Sequence, residues 1–288
     1  MPRLAYVDGR HVPLADASVS VEDRGFQFAD AVYEVCAVAN GRLFDWDLHA
    51  ARLTRNLSAL GIAAPLGTAA LLVQARRLIA ANRAREALLY IQVTRGAGRR
   101  DHGFRPDRPT LVMTVRPFDL AGRVGMQAKG VAVASVNDQR WGRCDIKTVG
   151  LLPNVLAKAS AKAAGGFEAW LVDDAGTVAE GASTNAWIVR GGRLITHPLS
   201  ARILPGVMRA GVIRLARDLQ IGVDERPFTL AEAFAADEAF LTATTAPVIG
   251  VVRVDGHTIG DGNPGPVTRK LGEAMWAEIA RQTGFRPA

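Results

Sequence analysis

Between residues 144 and 152 the chain reads Cys144-Asp145-Ile146-Lys147-Thr148-Val149-Gly150-Leu151-Leu152. At its centre is a lysine among small and apolar residues, in a protein that otherwise avoids lysine. Of 35 Lys and Arg residues only five are Lys, at 129, 147, 158, 162 and 270. Arg serves wherever a plain positive charge suffices, and Arg keeps its proton. Lys can give its proton up, and apolar surroundings disfavour the ammonium, so Lys147 is a candidate amine nucleophile. Taken alone, it reads more readily as a surface residue at a strand end. Lys158 and Lys162 lie four apart on a helical pattern and read as a solvated face. Lys129, at a strand entry, and Lys270, beside Arg269, read as surface.

Glu180 supplies a second piece. It stands 33 residues downstream in Val178-Ala179-Glu180-Gly181-Ala182-Ser183-Thr184-Asn185, leaving a strand into a glycine-containing turn. Further on, Leu204-Pro205-Gly206-Val207-Met208 opens a helix on a glycine. Free N–H groups and the helix dipole favour an anion there. Thr242, Thr244 and Thr245 end a strand and offer hydroxyls. Lysine, acid and anion cradle in this order match the needs of pyridoxal phosphate. That cofactor takes an amine at its aldehyde, a carboxylate that keeps its pyridine nitrogen protonated, and an anchor for its phosphate. Each piece alone is weak; the joint order is the signal.

With these residues in view, the sequence resembles the fold-type IV pyridoxal-phosphate enzymes, and among them the D-amino-acid aminotransferases. The likeness runs along nearly the whole chain. It is carried by Glu22-Asp23-Arg24-Gly25-Phe26-Gln27-Phe28, Val32-Tyr33-Glu34, Val93-Thr94-Arg95-Gly96, Arg143-Cys144-Asp145-Ile146-Lys147, Glu180-Gly181, Asn185 and Thr242 to Thr245. The resemblance implies a two-domain α+β fold with pyridoxal 5'-phosphate at the domain interface. It implies that Lys147 is the Schiff-base lysine and the proton carrier, and that Glu180 pairs with the pyridine nitrogen. Arg52, the backbone at Val207 and Met208, and the Thr244 hydroxyl would hold the phosphate, with Leu204 packed on the ring. Tyr33, Arg100 and His102 would trap the substrate carboxylate, since an Arg fork beside a His and a Tyr hydroxyl suits that anion. The loop Arg99-Arg100-Asp101-His102-Gly103-Phe104 would reach over from the partner subunit of a homodimer, and Arg99 stands as the alternative to Arg100.

Three positions depart from the family pattern. Met208 stands where a hydroxyl residue often donates to the phosphate, and Ala182 and Ala246 stand where serines are common. The implied reaction is transfer of an amino group between D-amino acids, of D-alanine and D-glutamate type, and 2-oxo acids. Leu204-Pro205-Gly206 also resembles the L-branched-chain aminotransferases of this class. A 4-amino-4-deoxychorismate lyase of the same fold is a further alternative.

Composition sets the remaining bounds. With 288 residues, 49% apolar and 22% charged, the chain reads as a folded protein of one large or two moderate domains. The polar Pro117–Gly125 stretch is the expected linker, dividing a smaller domain, 1–119, from a larger cofactor-binding domain, 120–288. No apolar run is long enough to span a membrane, and Met1 to Pro13 alternates rather than forming a secretory core. A cytoplasmic protein is expected. The net charge of +7 suggests nucleic acid, but the arginines are scattered among acidic residues without a basic tail, which argues against it. No metal site is expected: Cys36 and Cys144 are too few, and His11, His49, His197 and His257 lack companions at ligand spacing.

Overall fold

Asp8-Gly9 and Asn40-Gly41 each put two successive residues at positive φ, 44° and 91° in the first and 49° and 74° in the second. That geometry makes the tight hairpin turn whose twist matches its strands. The computed structural model in which these turns are seen describes residues 3–103 and 108–287. Met1, Pro2 and Phe104, which figured in the sequence reading, lie outside the described residues. The chain forms two compact units. One runs to Leu120 and takes in Ile146–Gly150 and Arg281–Phe285; the other holds Ala121–Asp145 and Leu151–Ala280.

The first unit has strands β1 (Leu4–Val7) and β2 (Arg10–Pro13), short helix α1 (Arg24–Phe28), then β3 (Ala31–Ala39) and β4 (Arg42–Leu43). Helices α2 (Trp46–Leu60) and α3 (Thr68–Ala81) follow, then β5 (Ala87–Thr94) and β6 (Thr110–Pro117). The six strands form one antiparallel sheet in the order β2-β1-β6-β5-β3-β4. Leu53 and Leu57 of α2 and Leu71, Ala75 and Leu78 of α3 pack on Val32, Cys36, Leu89 and Ile91 of the sheet. The helical spacing of those leucines is what turns one face of each helix inward. Gly61 ends α2 in the left-handed conformation.

The second unit begins with α4 (Gly122–Lys129), β7 (Val131–Asn137), α5 (Leu152–Ala163), β8 (Glu168–Val172), β9 (Thr177–Gly181), β10 (Asn185–Arg190) and β11 (Arg193–Thr196). Then come α6 (Val207–Asp218), β12 (Val223–Glu225), β13 (Phe228–Thr229), α7 (Leu230–Phe234), β14 (Glu238–Ala243), β15 (Ala246–Val254), β16 (His257–Thr258) and α8 (Pro266–Thr283). Its mixed sheet runs β12-β11-β10-β14-β15-β7-β8-β9-β13, with β16 on β15. Central strands are buried on both faces. Trp187 of β10 stacks on Phe240 of β14, with ring centroids 5.3 Å apart and planes 9° apart. Its indole N–H donates to Thr242 Oγ1 at 3.0 Å.

Several local expectations need correction. The strand that the Asn40-Gly41 turn opens stops at Leu43, because Asp45 adopts φ 51° and Trp46 starts α2. The chain passes from one unit to the other within the Pro117–Gly125 stretch, which is ordered. Phe118 N–H donates to the Glu86 carbonyl, Leu120 is buried, and Gly122 already begins α4. Lys158 is not simply a solvated residue, since its ammonium lies 3.1 Å from Glu168, a carboxylate with no exposure. Sequence periodicity missed α1 and α7, which are five residues each. The second had a readable start, because Thr229 and Glu232 form a capping box.

Candidate active site

β4 covers only Val38 and Ala39 of β3, which leaves the other end of that strand edge open. The chain returns there. Thr148 bridges Val32, Tyr33 N–H donates to the Lys147 carbonyl at 3.0 Å, and Val149 N–H donates to the Ala31 carbonyl at 3.3 Å. Ile146 plugs the core of the unit. Lys147 is thereby fixed at its backbone while its side chain stays half-buried. Its Nζ lies 4.2 Å from the Tyr33 ring centroid, and no carboxylate pairs with it among the described residues. The Tyr33 ring leans on Tyr90 at 5.6 Å, and burial pushes the Tyr90 hydroxyl up to about 12.

Strand alternation turns Glu34 away from Tyr33, toward α2. The carboxylate is buried and takes His49 Nδ1 at 2.8 Å, Arg52 Nε at 2.7 Å and Arg52 Nη2 at 2.8 Å. His49 and Arg52, three apart, share one helix face. Burial alone would raise the Glu34 carboxyl; the Arg52 guanidinium and His49 overrule it and bring it down to about 2. Arg52, expected at the phosphate, is itself buried and is held in orientation by two hydrogen bonds to that carboxylate. The sequence reading missed Glu34 and His49, although their spacing to Arg52 was visible.

In the second unit Glu180, buried on β9, is surrounded by donors. Arg140 Nη1 lies 2.5 Å from Oε1, Asn185 Nδ2 donates to Oε2 at 2.9 Å, and Leu204 N–H lies 3.1 Å from both oxygens. Arg140 is itself gripped by Asp138, at 2.9 Å from both Nε and Nη2. Burial would raise the Asp138 carboxyl, but Arg140 holds it below its ordinary value. Two of the three charges in this row are negative. Arg140 and Asp138 escaped the sequence reading because only the β7-β8-β9 order of the sheet brings the segment after β7 to Glu180. Asn185 also donates to the Leu204 carbonyl at 3.0 Å, and its Oδ1 lies where a Cβ on residue 206 would fall. A glycine is required at 206 for that reason.

Gly206 opens α6 with no side-chain cap, so the first N–H groups, of Val207 and Met208, point out of the helix without a protein acceptor among the described residues. The Met208 side chain is buried and leaves only its backbone for such a role. Thr244 and Thr245 form the turn between β14 and β15. Thr242, by contrast, spends its hydroxyl on Trp187. One unit offers an amine with no carboxylate partner among the described residues, and the other a fixed buried carboxylate and an uncapped helix N-terminus; these are the groups that pyridoxal phosphate requires. The residues present fit it.

Arg100 and His102 are exposed and gather on Phe28, at 4.5 Å from the Arg100 Cζ and 5.4 Å between rings for His102. Tyr33 stays with Tyr90 and the Lys147 amine.

Residues 31–254 match the family model for amino-transferase class IV. The chain is 39% identical to a D-alanine aminotransferase of Bacillus licheniformis over 276 residues, 96% of this chain and 97% of that one. To a D-alanine aminotransferase of Staphylococcus aureus (strain MSSA476) it is 36% identical over 272 residues, 94% and 95% of the two chains. Among solved structures, a branched-chain amino acid aminotransferase from T.th. with pyridoxamine 5'-phosphate superposes with TM-score 0.87, at 27% identity, covering 100% of this chain and 96% of that one. One from Thermoproteus uzoniensis with norvaline gives TM-score 0.86 at 28% identity, covering 98% and 95%. The chain belongs to the class IV aminotransferases.

Proposed function

We propose that this chain is a pyridoxal-phosphate-dependent D-amino-acid aminotransferase, acting in the cytoplasm as a homodimer. It exchanges an amino group between D-alanine- or D-glutamate-type donors and 2-oxo acids. The observation that carries this reading is the likeness to D-alanine aminotransferases along nearly the full length of both chains. When bound, pyridoxal phosphate supplies an electron sink for the pair left behind as the substrate Cα–H bond breaks.

The chain's own residues do the rest. Lys147 holds the cofactor through its amine and then carries the proton to and from the substrate Cα; the absence of a carboxylate partner among the described residues supports that use. Glu180 keeps a proton on the ring nitrogen, supported by the donors that fix its carboxylate. Arg52, the Val207 and Met208 N–H groups and Thr244 hold the phosphate, and Leu204 packs on the ring. Tyr33, Arg100 and His102 take the substrate carboxylate, the last two across a dimer. The exposed Leu152, Val155 and Leu156 on one face of α5 support a second copy, being the kind of apolar surface a partner covers. The smaller domain is built on residues 1–119 and the cofactor-binding domain on 120–288, with Ile146–Gly150 and Arg281–Phe285 belonging to the compact unit of the first. An L-specific branched-chain aminotransferase is the second reading, supported by the superposition on such enzymes at 27% and 28% identity.

Borohydride reduction of the yellow holoenzyme, followed by peptide mapping, tests the central residue. The label is expected on the peptide containing Lys147. Label on Lys129, Lys158, Lys162 or Lys270 would overturn the assignment.

A further inference from the structure

Five residues of α1 end on Phe28, and three side chains meet its half-buried ring. Arg100 Cζ lies over it at 4.5 Å, Arg24 Cζ at 4.8 Å, and the His102 ring at 5.4 Å with a tilt of 51°. The residue between Arg100 and His102 is tied down as well, because Arg24 Nη1 donates to the Asp101 carbonyl at 2.5 Å. Arg24 is anchored in turn by its Nε on Asp30 at 2.8 Å. Asp30 also receives Arg95, at 2.7 and 3.1 Å, and Arg95 continues to the carbonyls of Leu60 and Gly61. Three successive loop residues are therefore fixed by one ring and one guanidinium that belong to the body of the unit.

The manner of fixing matters. A guanidinium laid over an aromatic ring is held by its face, and its N–H edges remain in its own plane for a planar anion. A carboxylate would have consumed those edges, as Asp30 does for Arg24 and Arg95. Arg100 has no ion-pair partner among the described residues, and neither ring contact nor hydrogen bond fixes Arg99 there. The geometry points to Phe28 as a positioning residue for substrate specificity: it presents Arg100, rather than Arg99, to the substrate carboxylate. This rests on the carboxylate trap proposed above.

The test is a set of holoenzyme variants read by KM for D-alanine and by the inhibition constant of propionate, a carboxylate without an amine. Phe28→Leu keeps the bulk and removes the ring, and is expected to raise both constants about three- to fivefold. Phe28→Tyr keeps the ring and is expected to restore wild-type values. In an Arg100→Ala background Phe28→Leu should add nothing, because the residue acts through Arg100. A merely structural role would lower the thermal midpoint and shift the constants alike in both backgrounds, which would overturn the inference. So would unchanged constants in Phe28→Leu when Arg100→Ala raises them. If Phe28→Leu does not fold, Arg99→Ala against Arg100→Ala decides: a larger effect at Arg99 overturns it. If neither arginine matters to propionate, the carboxylate trap itself falls, and this inference with it.

Discussion

The strand edge that carries Lys147 and the strand that carries Glu180 are built in opposite ways. Lys147 is pinned at its backbone and left alone at its amine, with only an aromatic face for company among the described residues. Glu180 is pinned at its carboxylate by Arg140, Asn185 and the Leu204 N–H. The arginines repeat the contrast. Arg52 is committed to a buried Glu34, while Arg100 lies on Phe28 with no ion-pair partner among the described residues. A group that must form and break bonds gains from having no partner to displace. A group that must stay charged and stationary gains from a full set, because burying a charge is costly unless it is paired.

Breaking the two regions should have unequal effects. Lys147→Ala removes the amine itself and is expected to abolish turnover in a D-alanine assay, while some cofactor remains bound; measurable transamination would show that another base serves. Glu180→Gln keeps the shape and removes the charge. Transamination should fall by orders of magnitude with a much smaller loss of cofactor affinity, and a wild-type rate would place the electron-sink role elsewhere. Arg100→Ala removes one charge-assisted contact, worth about 1.5 to 3 kcal/mol, so kcat/KM for D-alanine should fall roughly one to two orders of magnitude. An unchanged value would remove Arg100 from the substrate site.

The smallest expected effect sharpens the pinned side of the comparison. Glu34 is held at about 2, and Asp30 and Asp138 are held below their ordinary values by their arginines. Carboxyls depressed in the folded state contribute stability above the unfolded-state range, and that contribution is lost as pH falls through the folded value. Denaturant midpoints should therefore drop on acidification below the ordinary carboxylate range, and less steeply in Glu34→Gln. Equal slopes would show that the Glu34 cluster adds nothing on the acid side.

What the sequence disclosed follows the same division. Lys147 could be picked out because lysine is rare here and its neighbours are apolar, and the hairpins because Asp-Gly and Asn-Gly need positive φ. The glycine that opens α6 was legible as a helix start. Arg140 was not, since its partner Glu180 is 40 residues away and only the β7-β8-β9 pairing brings them together. Nor was Phe28, whose meaning lies in a ring contact with a loop more than 70 residues later. Short elements such as α1 and α7 have too few turns to show a period, and the ion pair of Lys158 was not legible because its acid, Glu168, lies on another element.

Whether this class IV aminotransferase takes D-amino acids is tested most directly by its choice of donor. The purified holoenzyme is offered D-alanine and, separately, L-leucine, each with 2-oxoglutarate, and formation of pyruvate or the 2-oxo acid of leucine is followed. Rapid pyruvate from D-alanine with little product from L-leucine is the predicted result. Rapid turnover of L-leucine with none of D-alanine would contradict it.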